Sequence, residues 1–366
     1  MFEFSQAAVR GIVACIGTPS EKACDFLDFI LNPGMRQLRS YLKGTKDFLI
    51  WIEKLKEQYP ELPPLFSFLT IDYDAMYPNM KDSLAMPAVK EYLDNRLIQR
   101  PSTEMVLKLL NAIKKSNKFE LGNRLFQQTT GTSIGMKQAP PYACLGAGKL
   151  EEEKIMPAEV FQELVLDNTE NDDPTDRWFR RFIDELFLIF LGNEQKAKEF
   201  VDWLNGLEEG ISFTFEWSDK QINYLDVELI VEDGKVKTNL HIKPTNPQLY
   251  LRYESNHPPH VLKAIPYGQA IRIKTICSEP EFLEENLMKL KEKLISRGYP
   301  VTLINEQFRK VENIERADLL KVKTYPHGAT PQPISQKPIF TQISSSLSIH
   351  TIPHSKNGSS NTITSS

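Results

Sequence analysis

Residues 68–80 read FLTIDYDAMYPNM, and within them a hydrophobic segment runs directly into a carboxylate. The apolar run over residues 66–71 predicts a buried strand that ends at Asp72. Asp is depleted inside strands, so a carboxylate at this point needs an explanation. Asp72 either caps the helix that follows it or belongs to a functional site.

A second apolar segment carries two further acids. Residues 178–191 predict two strands joined by a two-residue hairpin turn, Asp184-Glu185. Neighbouring acids repel each other, and Asp-Gly would make a more stable turn, so the pair is either a solvated turn or a functional one. Together with Asp72, the pair places carboxylates at strand ends of one sheet. Such carboxylates can hold two Mg²⁺ ions that activate a 3′-hydroxyl and stabilise a leaving pyrophosphate.

A third segment is rich in small residues. Residues 130–143 read TGTSIGMKQAPPYA and lead into a predicted helix over residues 139–155. Its two glycines, Gly131 and Gly135, let the backbone approach a ligand closely before the helix begins. The segment matches neither a phosphate-binding P-loop nor a dinucleotide fingerprint, so alone it identifies no ligand.

Composition and charge narrow the class of protein. The chain has 366 residues, of which 41% are hydrophobic and 25% charged, an ordinary globular composition. No apolar run approaches the roughly 20 residues that a membrane helix needs, so no membrane partner is expected. The four cysteines are scattered without metal-site spacing, which predicts reduced, packed thiols in an intracellular protein.

The net charge of −4 argues mildly against nucleic-acid binding, but the charge is unevenly distributed. Residues 235–323 contain 16 Lys and Arg against 10 Asp and Glu, whereas residues 149–176 contain 10 acidic residues against 2 basic ones. A basic C-terminal part therefore coexists with an acidic insert.

The remaining pattern predicts a mixed α/β centre and a helical C-terminal part. Ser102 or Thr103 can cap a helix that ends near residue 116. Other predicted elements are a hairpin over residues 119–128, a helix over 194–207, a strand over 211–217, a hairpin of 222–231 with 235–242 around Asp233-Gly234, and helices from 267 to about 297. Residues from about 329 onward predict a disordered tail.

Several segments, in this order, resemble the reverse transcriptase of Penelope-like elements. TIDYDAMYPNM resembles the first catalytic motif of that family, GTSIGMKQAPPYACLGAGKLE its Gly- and Ala-Pro-containing motif, and RFIDELFLIFLG its Tyr-Ile-Asp-Asp motif. INYLDVEL, HIKPT, HPPHVLKAIPYGQAIRIKTICSEPEF and LISRGYP resemble later palm and thumb segments, and VRGIVACIGTPSEKACDFLDFIL resembles a fingers segment. The resemblance covers about residues 9–305.

The resemblance implies an α+β right-hand polymerase with partial fingers, an antiparallel-sheet palm and a helical thumb. The expected divisions are fingers 1–65, palm 66–245 with insert segments 81–128 and 149–177, thumb 246–325 and tail 326–366. The implied activity is RNA-directed DNA synthesis with two Mg²⁺ ions, for which Mn²⁺ could substitute. The implied partners are an RNA template, a DNA primer and deoxynucleoside triphosphates, and the implied compartment is the nucleus.

The resemblance also implies roles for individual residues. Asp72 and Asp184 would be metal ligands with Glu185 beside them, and Tyr77 would lie beneath the sugar, where it would exclude a ribose 2′-hydroxyl. The residues implied to contact the nucleotide are Arg10, Gly131, Gly135 and Gln138, and those implied to contact nucleic acid in the late palm and thumb are Lys243, Lys263, Arg272 and Lys274. A packing role for Tyr77 and plain surface roles for the cations stay open.

Three positions depart from the family pattern. Glu185 replaces the second Asp of the hairpin motif, Phe182 replaces its Tyr, and Arg10 is followed by Gly11 instead of Pro. No GIY-YIG endonuclease segment is recognisable. These departures suggest a fragment, or a decayed or domesticated copy, and they keep open the alternative of a catalytically weak or inactive remnant that only binds nucleic acid.

Overall fold

The computed structural model describes residues 12–13, 15–121, 124–168 and 176–321. Arg10 and the predicted tail 326–366 lie outside these residues. The helices are α1 (Glu21–Met35), α2 (Thr45–Gln58), α3 (Met76–Asn79), α4 (Asp82–Asp94), α5 (Thr103–Lys115), α6 (Ala139–Leu150), α7 (Glu159–Leu164), α8 (Glu194–Asn205), α9 (Pro259–Ile276), α10 (Pro280–Ser296), α11 (Val301–Glu312) and α12 (Arg316–Leu320). The strands are β1 (Phe66–Tyr73), β2 (Lys118–Leu121), β3 (Arg124–Gln127), β4 (Phe179–Phe182), β5 (Glu185–Leu191), β6 (Phe213–Ser218), β7 (Gln221–Tyr224), β8 (Val227–Glu232) and β9 (Lys235–Leu240).

A four-stranded antiparallel sheet in the order β4-β5-β1-β6 forms the centre of the fold. Strand β1 lies between two neighbours, and all of its residues except Asp72 are buried. A strand covered on both faces needs apolar residues at nearly every position, which explains the continuous run that precedes Asp72.

The sheet separates two hydrophobic cores. Leu69 and Ile71 of β1 face a core that includes buried residues of α1, α4, α5, α6 and α8. Phe66 and Phe68, which alternate with them, face a second core built with α2, the β7-β8-β9 sheet and the helices α9 to α11. Because successive side chains of β1 point to opposite faces of the sheet, the N-terminal helices and the C-terminal helices both pack against the same central sheet.

Most predicted elements are confirmed, with some shifted limits. Helix α5 is capped by Ser102, whose hydroxyl accepts a hydrogen bond from the Met105 N–H at 3.3 Å. The predicted helix over residues 139–155 is α6 followed by one π-helical turn, Glu151–Ile155. The C-terminal helices begin at Pro259, earlier than the pattern indicated.

Two hairpin predictions are wrong in detail. The segment over residues 222–231 is two strands, β7 and β8, because the chain turns at Leu225-Asp226, where Leu225 adopts a positive φ of 55°. The turn between β4 and β5 is Ile183-Asp184, one residue earlier than predicted, because Phe182 pairs with Glu185 and Glu185 already belongs to β5.

The cysteines bear out one expectation about composition. All four cysteines are free and buried, as predicted. Within the described ranges, no helix is both long and apolar enough to cross a bilayer. The proposed divisions into fingers, palm, thumb and tail stay predictions.

Candidate active site

The register of the central sheet brings the predicted acids together. Asp72, near the end of β1, is paired with Glu185 of β5 on one side and with Thr214 of β6 on the other. Directly paired residues of antiparallel strands lie about 4.5–5.5 Å apart at their Cα atoms. Asp184 lies in the turn directly before Glu185. The Asp184 carbonyl accepts a hydrogen bond from the Tyr73 N–H at 3.0 Å. Asp72, Asp184 and Glu185 therefore share one edge of the sheet.

The turn that carries Asp184 has an unusual backbone. Ile183 adopts a φ of 55°, in the left-handed region. A β-branched residue is a genuine outlier there, and such backbone costs on the order of 1–3 kcal/mol unless the surroundings impose it. Strained backbone of this kind concentrates at functional sites, so the outlier supports a functional turn over a solvated one.

Negative charge accumulates at this edge. Partial desolvation and the charges of Asp184 and Glu216 raise the pKa of Asp72, whereas Lys243 opposes the shift. Desolvation also raises the pKa of Glu185, with Asp72 and Asp184 adding to it and Lys243 opposing it. Lys243 Nζ lies 3.6 Å from Glu185 Oε1. The site holds its acids at an energetic cost that a bound cation would relieve.

The donor set fits magnesium that is shared with a substrate. Among the described residues, no group of three or more His, Cys, Asp or Glu side chains is placed to hold a metal ion. Mg²⁺ commonly uses one or two carboxylates, with water and substrate phosphates completing its octahedron. Asp72, near the end of β1, and Asp184, in the turn before β5, are candidates for such a pair of carboxylates.

The predicted sugar-contacting residue lies against the small-residue segment. Tyr77 is half-buried, and its carbonyl accepts the Thr132 N–H at 2.8 Å. Burial, and then the charges of Cys144 and Asp184, raise the pKa of the Tyr77 hydroxyl. The structure therefore brings Tyr77 to the site, and its contact with a sugar stays a prediction.

The predicted nucleotide-lining segment is tightly packed at both glycines. Gly131 has a φ of 67°, and a Cβ there would collide with the Tyr77 and Pro78 carbonyls. Gly135 has a φ of 102°, and a Cβ there would lie 2.9 Å from the Val13 carbonyl oxygen. Gln138 is buried, and within the described part of the chain its amide oxygen has no hydrogen-bond partner.

A cleft of about 540 Å³ opens beside Glu185, between the central sheet and α9. Glu185 and Lys243 line one side of it, and Gln269 and Arg272 of α9 line another. Lys243, predicted to contact nucleic acid, thus faces both the cleft and the acidic edge. Its side chain is 64% exposed, so it can reach a ligand as well as Glu185.

The three predicted thumb cations differ in what they contact. Arg272 makes two hydrogen bonds, of 2.9 and 2.7 Å, to the Asp226 carboxylate. Lys274 donates to the carbonyls of Val311 and Glu312, at 3.0 and 2.8 Å, and so stabilises the C-terminal end of α11. Lys263 is exposed on the surface of α9. Nucleic-acid contact by these residues stays a prediction.

Residues that the sequence motifs did not indicate also surround the acids. Glu216 of β6 adds negative charge next to Asp72. Arg181, Glu151 and Tyr224 hold the turn through contacts described below. The sequence did contain a signal for Arg181, since an arginine in a strand flanked by apolar residues needs a partner if it is buried. No sequence pattern indicated Tyr224, because its hydrogen-bond partners at the turn lie about 40 residues away in the chain.

Several solved polymerase structures match the fold of this chain. Telomerase from Candida albicans, in complex with a fragment of telomeric RNA, matches with a TM-score of 0.51 and 12% identity over 80% of this chain and 48% of that chain. Apo telomerase from Candida tropicalis (TM-score 0.47, 11% identity, 82% and 53% covered) and the RNA-dependent RNA polymerase of a human picobirnavirus (0.48, 12%, 82% and 55%) also match. The likeness to the Candida albicans structure shows that the chain has the α+β fold of right-hand polymerases.

The chain spans about half the length of these solved chains. A family model described as an animal helix-turn-helix domain matches residues 249–309, which include α9, α10 and most of α11. No curated protein matches the sequence significantly.

Proposed function

We propose that this chain is an RNA-directed DNA polymerase of the Penelope-like type, which extends a primer 3′-hydroxyl with deoxynucleoside triphosphates. The observation that carries the proposal is the register that sets Asp72 opposite Glu185 and next to Asp184, at the edge of the central sheet of a right-hand polymerase fold. The family motifs of the sequence support the finer assignment to Penelope-like retroelements.

The acids serve the reaction by holding charge in a fixed place. Asp72 and Asp184 would hold two Mg²⁺ ions, which supply activation of the 3′-hydroxyl and neutralisation of the leaving pyrophosphate when bound. The protein contributes mainly alignment and electrostatics, because phosphoryl transfer requires little covalent chemistry from side chains. Partial burial, and then the charges of Asp184 and Glu216, raise the pKa of Asp72, and a bound cation would offset both effects.

The neighbouring residues would select and orient the substrates. Tyr77 would lie beneath the sugar of the incoming nucleotide, and the backbone of residues 131–138 would contact that nucleotide and the template base. Lys243 faces the acids and the cleft, where an exposed cation favours phosphates. Gln138 would contact the incoming nucleotide, and among the described residues its buried amide oxygen has no hydrogen-bond partner.

An RNA template and a DNA primer are the partners we propose. The Candida albicans telomerase structure contains a fragment of telomeric RNA, which is consistent with an RNA partner for this fold. The excess of basic residues over positions 235–323 supports binding of the nucleic-acid backbone. A nuclear location follows from the family resemblance and stays a prediction.

Template and nucleotide preference test the proposal. A DNA primer is annealed to an RNA template or to a DNA template of the same sequence, and extension is measured with deoxynucleotides or ribonucleotides and Mg²⁺. We expect extension of the RNA-templated primer with deoxynucleotides. Extension only with ribonucleotides would instead indicate an RNA polymerase, and duplex binding without extension would favour a non-catalytic remnant.

A further inference from the structure

The turn between β4 and β5 is held at three successive carbonyls. The Ile183 carbonyl accepts from Arg181 Nη1 at 2.9 Å, the Asp184 carbonyl from the Tyr73 N–H at 3.0 Å, and the Glu185 carbonyl from the Tyr224 hydroxyl at 2.9 Å. Each donor belongs to a different strand, β4, β1 or β7. The backbone around Asp184 is therefore fixed from three directions.

Tyr224 bridges both ends of the turn through one hydroxyl. This oxygen donates to the Glu185 carbonyl and accepts the Phe182 N–H at 3.1 Å. Tyr224 is 3% exposed, and the centroid of its ring lies 4.7 Å from that of Phe48 and 5.1 Å from that of Phe187. The ring thus has a packing role, and the hydroxyl has a separate role at the turn.

Arg181 holds the other side of the turn from a buried position. Its side chain is 2% exposed and forms an ion pair with Glu151, which is 1% exposed. A further nitrogen, Nη2, donates to the Cys144 carbonyl at 3.2 Å. The guanidinium is a planar fork of donors, so fixing two of its edges on Glu151 and Cys144 also fixes the donor that reaches Ile183.

The hydrogen bonds from Arg181, Tyr73 and Tyr224 keep the turn in a backbone conformation that it would otherwise leave. Ile183 is held in the left-handed region, which a β-branched residue leaves unless the surroundings impose it. A relaxed turn would rotate the peptide that precedes Asp184. It would also change where the carboxylates of Asp184 and Glu185 point relative to Asp72.

We propose that Tyr224 and Arg181 are positioning residues that clamp the Ile183-Asp184 turn so that Asp184 and Glu185 face Asp72. This inference rests on the proposed function, since it concerns the acids of that site. The clamp acts on the backbone of the turn, and neither side chain needs to touch substrate. Tyr224→Phe is the sharpest test because it removes one hydroxyl and keeps the ring packing.

Tyr299→Phe is the matched control. Tyr299 is a buried tyrosine in the C-terminal helical part, and among the described residues its hydroxyl has no hydrogen-bond partner. Both variants and the parent are compared for kcat with Mg²⁺ and with Mn²⁺, for KM of the primer–template, for Mn²⁺ affinity and for amide hydrogen exchange of Phe182. Exchange and Mn²⁺ affinity report on the turn without requiring catalysis.

We expect Tyr224→Phe to lower the kcat with Mg²⁺ by about ten- to a hundredfold, since misplacement of about 1 Å can reduce a rate that much. The kcat with Mn²⁺ should fall less, because Mg²⁺ demands the more nearly ideal geometry. KM for the primer–template should stay within about twofold, and the Phe182 amide should exchange about tenfold faster because it loses its acceptor. Tyr299→Phe should match the parent in every readout.

If Tyr224→Phe leaves the kcat with Mg²⁺ unchanged, the proposed clamp is wrong. The proposed clamp is also wrong if Tyr224→Phe lowers the kcat equally with Mg²⁺ and Mn²⁺ and Tyr299→Phe lowers it to the same extent. If the parent extends no primer, the proposed function fails, and the other two readouts decide the clamp alone. Faster exchange of the Phe182 amide and weaker Mn²⁺ binding in Tyr224→Phe then support the proposed clamp. Unchanged exchange of this amide contradicts it.

Discussion

Glu185→Asp should raise the activity of this chain. The change removes one methylene beside Asp72 and keeps the charge, so it withdraws the carboxylate by about 1.5 Å, the length of one carbon–carbon bond. Glu185 Oε1 lies 3.6 Å from the 64%-exposed Lys243, an ion pair worth only about 0–1 kcal/mol at such exposure. The gain in alignment should therefore outweigh the lost pair, and primer extension with Mg²⁺ should rise by about ten- to a hundredfold.

The assay is single-turnover primer extension with Mg²⁺ and with Mn²⁺. The parent should prefer Mn²⁺, and Glu185→Asp should shift the preference towards Mg²⁺. Glu185→Gln, which keeps the length and removes the charge, should lower extension. Lys243→Ala separates the two causes, because it breaks the ion pair without moving the carboxylate. If Glu185→Asp leaves primer extension unchanged, the position of the carboxylate does not limit the activity. The same conclusion follows if Lys243→Ala raises primer extension as much as Glu185→Asp does.

Three further predictions concern the sugar, the backbone and the core. Tyr77→Val should relax discrimination against ribonucleotides, because a smaller side chain opens the space of a 2′-hydroxyl; an unchanged ratio of deoxyribonucleotide to ribonucleotide incorporation in an active variant would leave Tyr77 as a packing residue. Duplex affinity should fall with salt at a log–log slope of roughly −3 to −6, for about four to seven phosphate contacts, and a flat response in a binding titration would contradict phosphate contact. Glu151→Gln should reduce the free energy of unfolding in urea by about 3–5 kcal/mol, because Arg181 would be left buried without its counter-ion. Glu153→Gln, whose partly exposed carboxylate pairs with Lys149, should change it by less than about 1 kcal/mol, and equal effects of the two variants would contradict the assignment.

The sequence was sufficient where one local pattern determined the structure. The apolar run before Asp72 predicts a buried strand, because a strand covered on both faces needs apolar residues at nearly every position. Ser102 predicts the start of α5 through its side-chain cap, which the structure contains. The hairpin that carries Asp184 was predicted from its apolar flanks in the same way.

The exact turn was not predictable from propensity. The pattern favoured Asp184-Glu185 as the turn, since polar residues prefer turns and Ile avoids a positive φ. The structure places Ile183 in the turn because contacts with Arg181, Tyr73 and Tyr224 determine its conformation. These contacts include partners distant in sequence, so tertiary structure overrides the local preference.

The cations predicted for the thumb show the same limit. Their spacing along α9 predicted a basic surface, and sequence spacing carries no information on buried partners. Arg272 is bonded to Asp226, 46 residues away, and Lys274 to the end of α11. Charge counts therefore predicted the basic character of this region and not which side chains are available to a ligand.

Primer extension by the parent and by Asp72→Asn is the most direct test of the account. Asp72→Asn removes one negative charge at the sheet edge and keeps the size of the side chain. We predict that the parent extends a DNA primer on an RNA template with Mg²⁺, and that Asp72→Asn does not, although both bind the duplex and unfold at the same temperature. Extension by Asp72→Asn near the parental level would contradict the proposed site, and duplex binding without extension by the parent and by Glu185→Asp would establish a non-catalytic remnant.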